Sequence, residues 1–364
     1  MINSIFFLFV LIVCVLLLYY LFIFSKFAFL SSSKKKYNNI PVSILICAKN
    51  EAENLQKNLP FILKQNFTNF ELVLVNDNST DATLAVMNSF KEKYQNIVII
   101  DVNDGISNKK KALSKGIDSA KHNHLLLTDA DCKPNSNNWI SEMTSHFNTE
   151  KSVVLGYGAY EKIKGSWLNK LIRFETLLTA IQYFSYTKIG LPYMGVGRNM
   201  GYTKNNFSKV NGFTKHKDLK SGDDDLFINQ IATKNNTAVC ITKSSFTLSK
   251  PHTNFKKWIL QKRRHITTAT HYKPIHQLLL GIFYICQFLF WLFAITLLIQ
   301  NFNIKFVLVL ILIKIGLQYL IFGLSAKKLD EKDLILYIPF LELFLIVIQM
   351  SIFIQNLISK PKHW

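Results

Sequence analysis

The sequence predicts an α/β domain, a parallel sheet with helices on both faces, set between membrane-spanning helices. Three observations predict it. Apolar runs of strand length alternate with helical stretches through the middle of the chain, and the runs are continuously apolar, as strands buried on both faces are. Polar and acidic residues gather directly after three of those runs. Uncharged apolar stretches of about 20 residues, long enough to cross a ~30 Å hydrocarbon core as a helix, flank the region on both sides.

The first of these stretches, Ile5 to Phe24, holds no charged or strongly polar residue. Met1 to Ser4 carries no base, and the aromatic Tyr19, Tyr20 and Phe22–Phe24 make a poor cleavage site. An uncleaved anchor is expected rather than a signal peptide. Lys26 and the triplet Lys34–Lys36 follow it, so the positive-inside rule places the next segment in the cytoplasm. Residues 1–36 thus form an anchor with a basic flank.

From Tyr37 the strand–helix alternation begins. Val42–Cys47, Leu72–Val75, Ile97–Asp101 and His124–Leu127 read as strands, and Glu53–Gln65, Ala82–Tyr94 and Lys110–Ala120 as helices. Ligands of such sheets bind beyond the carboxyl ends of the strands. There stand Ala48-Lys49-Asn50-Glu51, then Asn76-Asp77-Asn78-Ser79-Thr80-Asp81, then Thr128-Asp129-Ala130-Asp131. No G-x-G-x-x-G follows the first strand and no G-x-x-x-x-G-K-S/T occurs, which disfavours dinucleotide oxidoreductases and P-loop NTPases.

Asp129 and Asp131, one residue apart at a strand end, suit a hard divalent cation that shares diphosphate oxygens. Asp77 offers its carboxylate to a base or ribose, or else to a turn or helix cap. Ser79-Thr80-Asp81 reads as capping. Further on, Asp223-Asp224-Asp225 repel one another. One member is expected to have a raised pKa and serve as a general base, while others cap the helical run from Leu226 to Lys234.

Charge then turns one-sided. The chain has 43 Lys and Arg against 23 Asp and Glu, a net charge of +20, yet 49% of it is hydrophobic. No acid occurs from Leu226 to Leu329, where 13 bases stand. Phe255–His265 interleaves bases with Trp258 and Ile259 beside an apolar stretch, which predicts an interfacial amphipathic helix facing lipid headgroups or a diphosphate rather than nucleic acid. The 13% aromatic content, with only 14 Gly and 8 Pro, excludes a disordered or collagen-like chain. Five scattered Cys without a C-x-x-C suggest neither zinc nor a disulfide framework.

Leu278–Ile299 and Phe306–Ala326 read as spans and Leu334–Ile354 as a third. A third crossing would set the basic tail Lys360–Trp364 outside, against the positive-inside rule, so this segment is expected either to cross or to be re-entrant or interfacial. Lys314 and Glu342, each costly alone in a membrane, fall at similar depths and are expected to pair. The alternatives are a snorkelling Lys314 and a protonated Glu342.

Together these residues resemble the membrane-bound glycosyltransferases of family 2, with a GT-A (Rossmann-like) fold, over most of Pro41–Lys273. Val42–Glu51 resembles the opening strand and nucleotide loop, implying contacts from Ala48 and Glu51. Val75–Asp81 resembles V-D-D-x-S-x-D, implying that Asp77 contacts the base. Lys109, before Ala112-Leu113-Ser114, matches the K-x-x-A-L-N lysine that approaches the nucleotide. Asp129-Ala130-Asp131 matches the D-x-D, implying Asp131 as main metal ligand and Asp129 at ribose or metal. Gly195–Met200 resembles the acceptor-side segment. Gly222–Leu226 aligns with E-D-x-D-L, implying Asp223 as general base with Asp224 as its rival, and Gly222 in place of the glutamate. Gln261–His265 matches Q-x-x-R-W, implying Gln261 and Arg264 at the diphosphate, with His265 for Trp.

The resemblance implies an inverting glycosyltransferase at the cytoplasmic face of the cell (inner or plasma) membrane. Its partners would be a nucleotide diphosphate-sugar donor, UDP-linked by leaning, a lipid-linked or saccharide acceptor, and membrane lipids. Its cofactor would be Mg²⁺ or Mn²⁺. The expected organisation is an anchor over 1–36, a catalytic domain over 37–250, an interfacial helix over 251–276 and a multi-pass region over 277–364. Two other readings stand beside it. A processive polysaccharide synthase is weakened by His265, and a non-catalytic nucleotide- or lipid-binding protein is opposed by the acids at all three rim positions.

Overall fold

The computed structural model describes residues 2–31, 37–105, 107–219 and 221–359, apart from the His265 side chain. The Lys34–Lys36 triplet, the tail from Lys360 and the substituted position of the Q-x-x-R-W element lie outside the described residues. The chain forms two compact units, one of residues 1–31, 162–191 and 252–364, the other of residues 32–161 and 192–251. The expected 37–250 segment is thus interrupted, because residues 162–191 group with the apolar helices.

Along the chain the first helices are α1 (Ile2–Leu18), continued by a π-type stretch Tyr19–Phe24, and α2 (Ser25–Ala28). Then β1 (Val42–Ala48), α3 (Ala52–Leu63), β2 (Phe70–Asp77), α4 (Thr83–Lys91), β3 (Ile97–Val102), α5 (Lys109–Ser119) and β4 (His124–Leu127) follow the expected alternation within a few residues. Next come β5 (Cys132–Pro134), α6 (Trp139–Thr144), β6 (Val153–Leu155) and β7 (Gly158–Tyr160), then the long α7 (Trp167–Lys188). The remainder is β8 (Met200–Thr203), α8 (Lys204–Lys209), α9 (Asp225–Ile231), β9 (Thr237–Val239), β10 (Thr247–Ser249), α10 (Phe255–Ala269), α11 (Pro274–Ile299), α12 (Ile304–Lys328) and α13 (Ile338–Ile358).

In the second unit a seven-stranded sheet has the order β3-β2-β1-β4-β8-β6-β9. β1 pairs in parallel with β2 (Val42 opposite Phe70) and with β4 (Val42 opposite His124). Alternate residues feed two faces. Ile44, Ile46, Leu72 and Leu74 pack with Leu55, Leu59 and Ile62 of α3 and Trp139 and Met143 of α6. Each such buried side chain contributes about 1.5–3 kcal/mol. Leu45, Val73 and Val75 face α5, which approaches so closely that a Cβ on Gly116 would lie 2.6 Å from the Val75 side chain.

The sheet departs from the expected all-parallel form at β8, which runs antiparallel to β4 and β6. Only four residues long, with Gly201 inside it, β8 has no apolar run to betray it. A Cβ on Gly201 would meet the Leu125 carbonyl oxygen at 2.8 Å, so glycine is required where the strand crosses the sheet centre. A second, three-stranded sheet, β5-β10-β7, was not expected from the sequence.

In the first unit four helical segments, Ile2–Ala28, Pro274–Ile299, Ile304–Lys328 and Lys332–Ile358, are long and apolar enough to cross a membrane. α1 and α11 run antiparallel: Phe6 packs on Phe302 (5.8 Å between ring centroids), Phe9 on Phe290, and Tyr19 donates to the Leu279 carbonyl at 2.6 Å. The expected Lys314–Glu342 pair is present at 2.6 Å and fully buried. Gln287 and Gln318 donate to the same carboxylate at 2.7 and 2.6 Å, and Trp291 lies 3.3 Å from it. A buried ion pair persists only when its remaining hydrogen-bonding capacity is filled in this way. The amphipathic α10 forms as expected, with Asn254 capping it through Lys257 N at 3.1 Å.

Candidate active site

Two rim loops are laced together by short polar side chains. Asn50, at φ +56°, sits in the left-handed conformation that Asn tolerates best after Gly. Its amide oxygen accepts from Thr80 N at 2.8 Å, while Asn50 N donates to Ser79 Oγ at 3.0 Å. Asp81 accepts from Thr83 N at 2.9 Å and from Ala52 N at 3.3 Å, so it serves the starts of α3 and α4, the capping role expected of it. This fixes Ala48 and Glu51 at the end of β1. Burial pushes the Glu51 carboxyl up, against the opposing hydrogen bond from Asn54.

Asp77, 3% exposed at the end of β2, accepts from Ser107 Oγ at 2.9 Å and from Asn108 N at 3.2 Å. Asn108 in turn caps α5 through Lys111 N at 3.2 Å. The turn-and-cap role weighed for Asp77 is therefore in place, and it sets the first residue of α5, Lys109. Lys109 Nζ lies 3.2 Å from Asp129 and 2.9 Å from Asp223. Burial works against the ammonium, but Asp129, Asp223 and Asp224 outweigh it and raise its pKa well above the usual lysine value.

The acidic triplet divides its labour. Asp223 is buried, which alone would raise its pKa, but Lys109 brings it below the ordinary carboxylate range. Asp224 accepts from Gly197 N at 2.8 Å and from Asp225 N at 2.7 Å, capping α9. Burial, then the charges of Asp223 and Asp225, push it up to about 7. The raised member expected of the triplet is thus Asp224, while Asp223 is the one that meets Lys109 and, across it, Asp129. Gly222 stands at φ +96°, and a Cβ there would lie 2.5 Å from Leu226. A side chain at this position would be strained by that φ and would require Leu226 to shift, so the backbone here favours glycine.

Asp129, Asp131 and Cys132 place one ligand atom each within 4.8 Å of one another. Burial, then Asp131, raises the Cys132 thiol well above its usual value, and it shares a 2.9 Å contact with Ser249 Oγ. The usable donors are therefore two carboxylates, a hard oxygen set that fits Mg²⁺ or Mn²⁺ better than a thiophilic metal. Burial, then Asp129, raises the Asp131 carboxyl, the situation a cation would relieve. A cavity of about 260 Å³ opens beside Asp131, lined by Asn54, Asn58, Lys133, Glu161 and Lys250.

Three further residues shape this rim, of which Arg198 and Asn199 belong to the Gly195–Met200 segment expected on the acceptor side and Lys110 was not singled out. Arg198 donates to the Ala159 carbonyl at 3.1 Å and stacks 4.2 Å over the Tyr160 ring. Asn199, fully buried, donates to the Tyr157 and Ser245 carbonyls and accepts from Trp139 Nε1. Lys110 donates to the His216 and Leu219 carbonyls at 2.6 and 2.9 Å, holding the segment that leads to Asp223. The acceptor-side resemblance of Gly195–Met200 was the signal for Arg198 and Asn199; nothing in the local sequence distinguished Lys110 from its lysine neighbours. Gln261 and Arg264 lie on α10, in the other compact unit.

Residues 43–209 match the family model described as glycosyl transferase family 2. The poly-beta-1,6-N-acetyl-D-glucosamine synthase of Staphylococcus epidermidis is 32% identical over 117 residues, which are 31% of this chain and 28% of that protein. Glycosyltransferase AglE of Haloferax volcanii is 30% identical over 106 residues, 29% of this chain and 34% of that protein. The chain thus spans about a third or less of the length of these relatives. A mannosyltransferase from Pyrobaculum calidifontis, solved with GDP-Man and Mn²⁺, superposes with a TM-score of 0.59 at 13% identity, covering 92% of this chain and 97% of that one. The likeness establishes a GT-A fold.

Proposed function

We propose that this chain, which carries a glycosyltransferase family 2 domain of GT-A fold, transfers a sugar with inversion from a nucleotide diphosphate-sugar, UDP-linked by preference, to a lipid-linked or saccharide acceptor at the cytoplasmic membrane face. The observation that carries this reading is Lys109, whose one ammonium touches both Asp129 and Asp223. It brings the D-x-D and the acidic triplet to one point, where a leaving diphosphate and an attacking hydroxyl must meet.

Asp131, with Asp129, would hold Mg²⁺ or Mn²⁺, which when bound supplies positive charge to the leaving diphosphate. Ala48, Glu51 and Asp77 border the nucleotide. Lys109 turns from the carboxylates to the diphosphate, which frees Asp223. A carboxylate oxygen of Asp223 then takes the proton of the acceptor hydroxyl as its oxygen attacks the anomeric carbon from the face opposite the diphosphate. The assignment of Gln261 and Arg264 to the diphosphate rests on the Q-x-x-R element alone.

Screening nucleotide-sugars for release of nucleoside diphosphate by the purified chain, with Mn²⁺ and Mg²⁺ compared, tests the reading. Metal-dependent release from one donor, lost in Asp223→Asn, is expected; no release from any donor would leave the non-catalytic alternative. The polymer named for the Staphylococcus relative favours a second reading, processive synthesis, and product length decides between them.

A further inference from the structure

The last apolar segment, Lys332–Ile358, which includes α13, has both of its ends at one end of the helical bundle. At its start, Arg173 of α7, 2% exposed, donates to Glu331 and Asp333, each at 2.8 Å. At its far end, Arg263 of α10 donates to Asn356 Oδ1 at 2.9 Å, to Ser359 Oγ at 3.1 Å and to the Ser359 carbonyl, and Asn356 donates back to the Arg263 carbonyl at 3.1 Å. The two helices that supply these arginines are themselves joined, Lys262 of α10 to Glu175 of α7 at 2.6 Å.

That layer belongs to one end of the bundle. Phe184 of α7 stacks on Phe27, at the end of α2 from which the chain leaves at Ser31. α10 ends at Ala269, just before α11 begins at Pro274. α1 and α11 are antiparallel, so the opposite end is marked by Phe6 and Phe302. A helix crossing beside α11 and α12 would put Ser359 near Phe302, ~30 Å from the arginine layer.

The middle of α13 agrees. Glu342 meets Gln287 and Trp291, halfway along α11, but Ile346 accepts from Tyr284, nearer the start of α11. The chain therefore enters through residues 332–337 and returns along α13 toward the end it entered from. Its outward stripe, Phe340, Phe344 and Val347, continued by Leu357 and Ile358, is more than half exposed.

We infer that α13 does not cross the membrane but dips into a single leaflet, the one at the Ser31 end, with lipid acyl chains covering its apolar stripe. α1, α11 and α12 are the three crossings. The bases at that end, Lys26, Lys327, Lys328 and the exposed Lys256 and Lys257, complement anionic headgroups. Glu342 anchors the dipping helix by its bond to Lys314, and the arginine contacts tie down its two ends.

The count of crossings is tested by compartment. Ser31→Cys, Asn301→Cys and Ser359→Cys, each in a full chain with the five native cysteines replaced, are probed in intact cells with a membrane-impermeant maleimide. Ser359→Cys is expected to behave like Ser31→Cys and opposite to Asn301→Cys. Reaction of Ser359→Cys together with Asn301→Cys would overturn the inference. Should cysteine replacement impair folding, fusions of GFP and of alkaline phosphatase to the end of the native chain give the same reading. A fluorescent GFP fusion with an inactive phosphatase fusion is expected, and the reverse would count as a fourth crossing.

Discussion

The Lys109 ammonium lies 2.9 Å from a carboxylate oxygen of Asp223, and this contact holds the Asp223 carboxyl below the usual range although burial acts to raise it. Replacing Lys109 by Met removes the main influence opposing burial and leaves only a backbone hydrogen bond and the more weakly acting Lys110 against it. The acid limb of the pH–rate profile should move to higher pH. Donor affinity should fall roughly tenfold or more, as loss of a hydrogen bond to a charged group of about 1.5–3 kcal/mol implies. An acid limb that stays in place would show that Asp223 is not the titrating base.

Asp223→Asn should lower turnover by about 10²–10⁴-fold, the usual contribution of a general base, with donor affinity nearly intact. Asp131→Ala should do the opposite, abolishing the metal-dependent part of donor binding. Calorimetric titration of donor with and without Mn²⁺, beside turnover, separates the two. A donor affinity that falls with turnover in Asp223→Asn would move the base to another residue.

Asp224 is pushed up to about 7, above the value a carboxyl has in an unfolded chain. Its ionised form is therefore disfavoured by folding. The neutral carboxyl's benefit is complete at low pH and is lost as pH rises through about 7. Gly197 N and Asp225 N donate to different oxygens of Asp224, so Asp224→Asn keeps only one of the two bonds, a loss that does not depend on pH. Its effect on stability should therefore be more favourable at pH 8 than at pH 4, by on the order of 1 kcal/mol or more. Melting curves at the two pH values read the difference, and equal shifts at both would contradict it.

Lys314→Met or Glu342→Leu alone should each cost about 3–5 kcal/mol, since either leaves a buried charge unpaired. The double variant should be far less destabilised than the sum of the two. Thermal stability in detergent measures this, and simple additivity would mean that the pair contributes no coupling.

Arg264→Lys should reduce turnover about tenfold or more while melting temperature and expression stay unchanged, because an ammonium does not reproduce a planar fork of donors. Burial pulls the Arg264 guanidinium below its usual value, so the site already disfavours a charge unless it has a use for it. Near-wild-type turnover would remove Arg264 from the machinery.

Much of this was legible because the first four strands are continuous apolar runs. β4 was placed over His124–Leu127 from sequence, where the structure has it. The Lys314–Glu342 pair was legible from depth alone. β8 was not, because four residues with a central glycine carry no period. α7 was not, because it is buried on most sides, with Arg173, Asn169 and Thr176 inside, and so shows no polar face. The separate duties of Asp223 and Asp224 depend on Lys109 and Gly197, both far away in sequence. Adjacent carboxylates look alike until the fold brings a cation to one of them.

The interruption of the sheet domain by residues 162–191 has a consequence for synthesis. The ribosome delivers β1 to β7 first, then α7, and only afterwards β8, which must insert between β4 and β6. Until then the nascent sheet stays split along its middle. α7 must likewise wait for Glu331 and Asp333, made more than 150 residues later, before Arg173 has these partners. Each unit is therefore completed only after part of the other has emerged. A chain that stops between α7 and Glu331 leaves the buried Arg173 without either of the carboxylates that meet it in the folded protein.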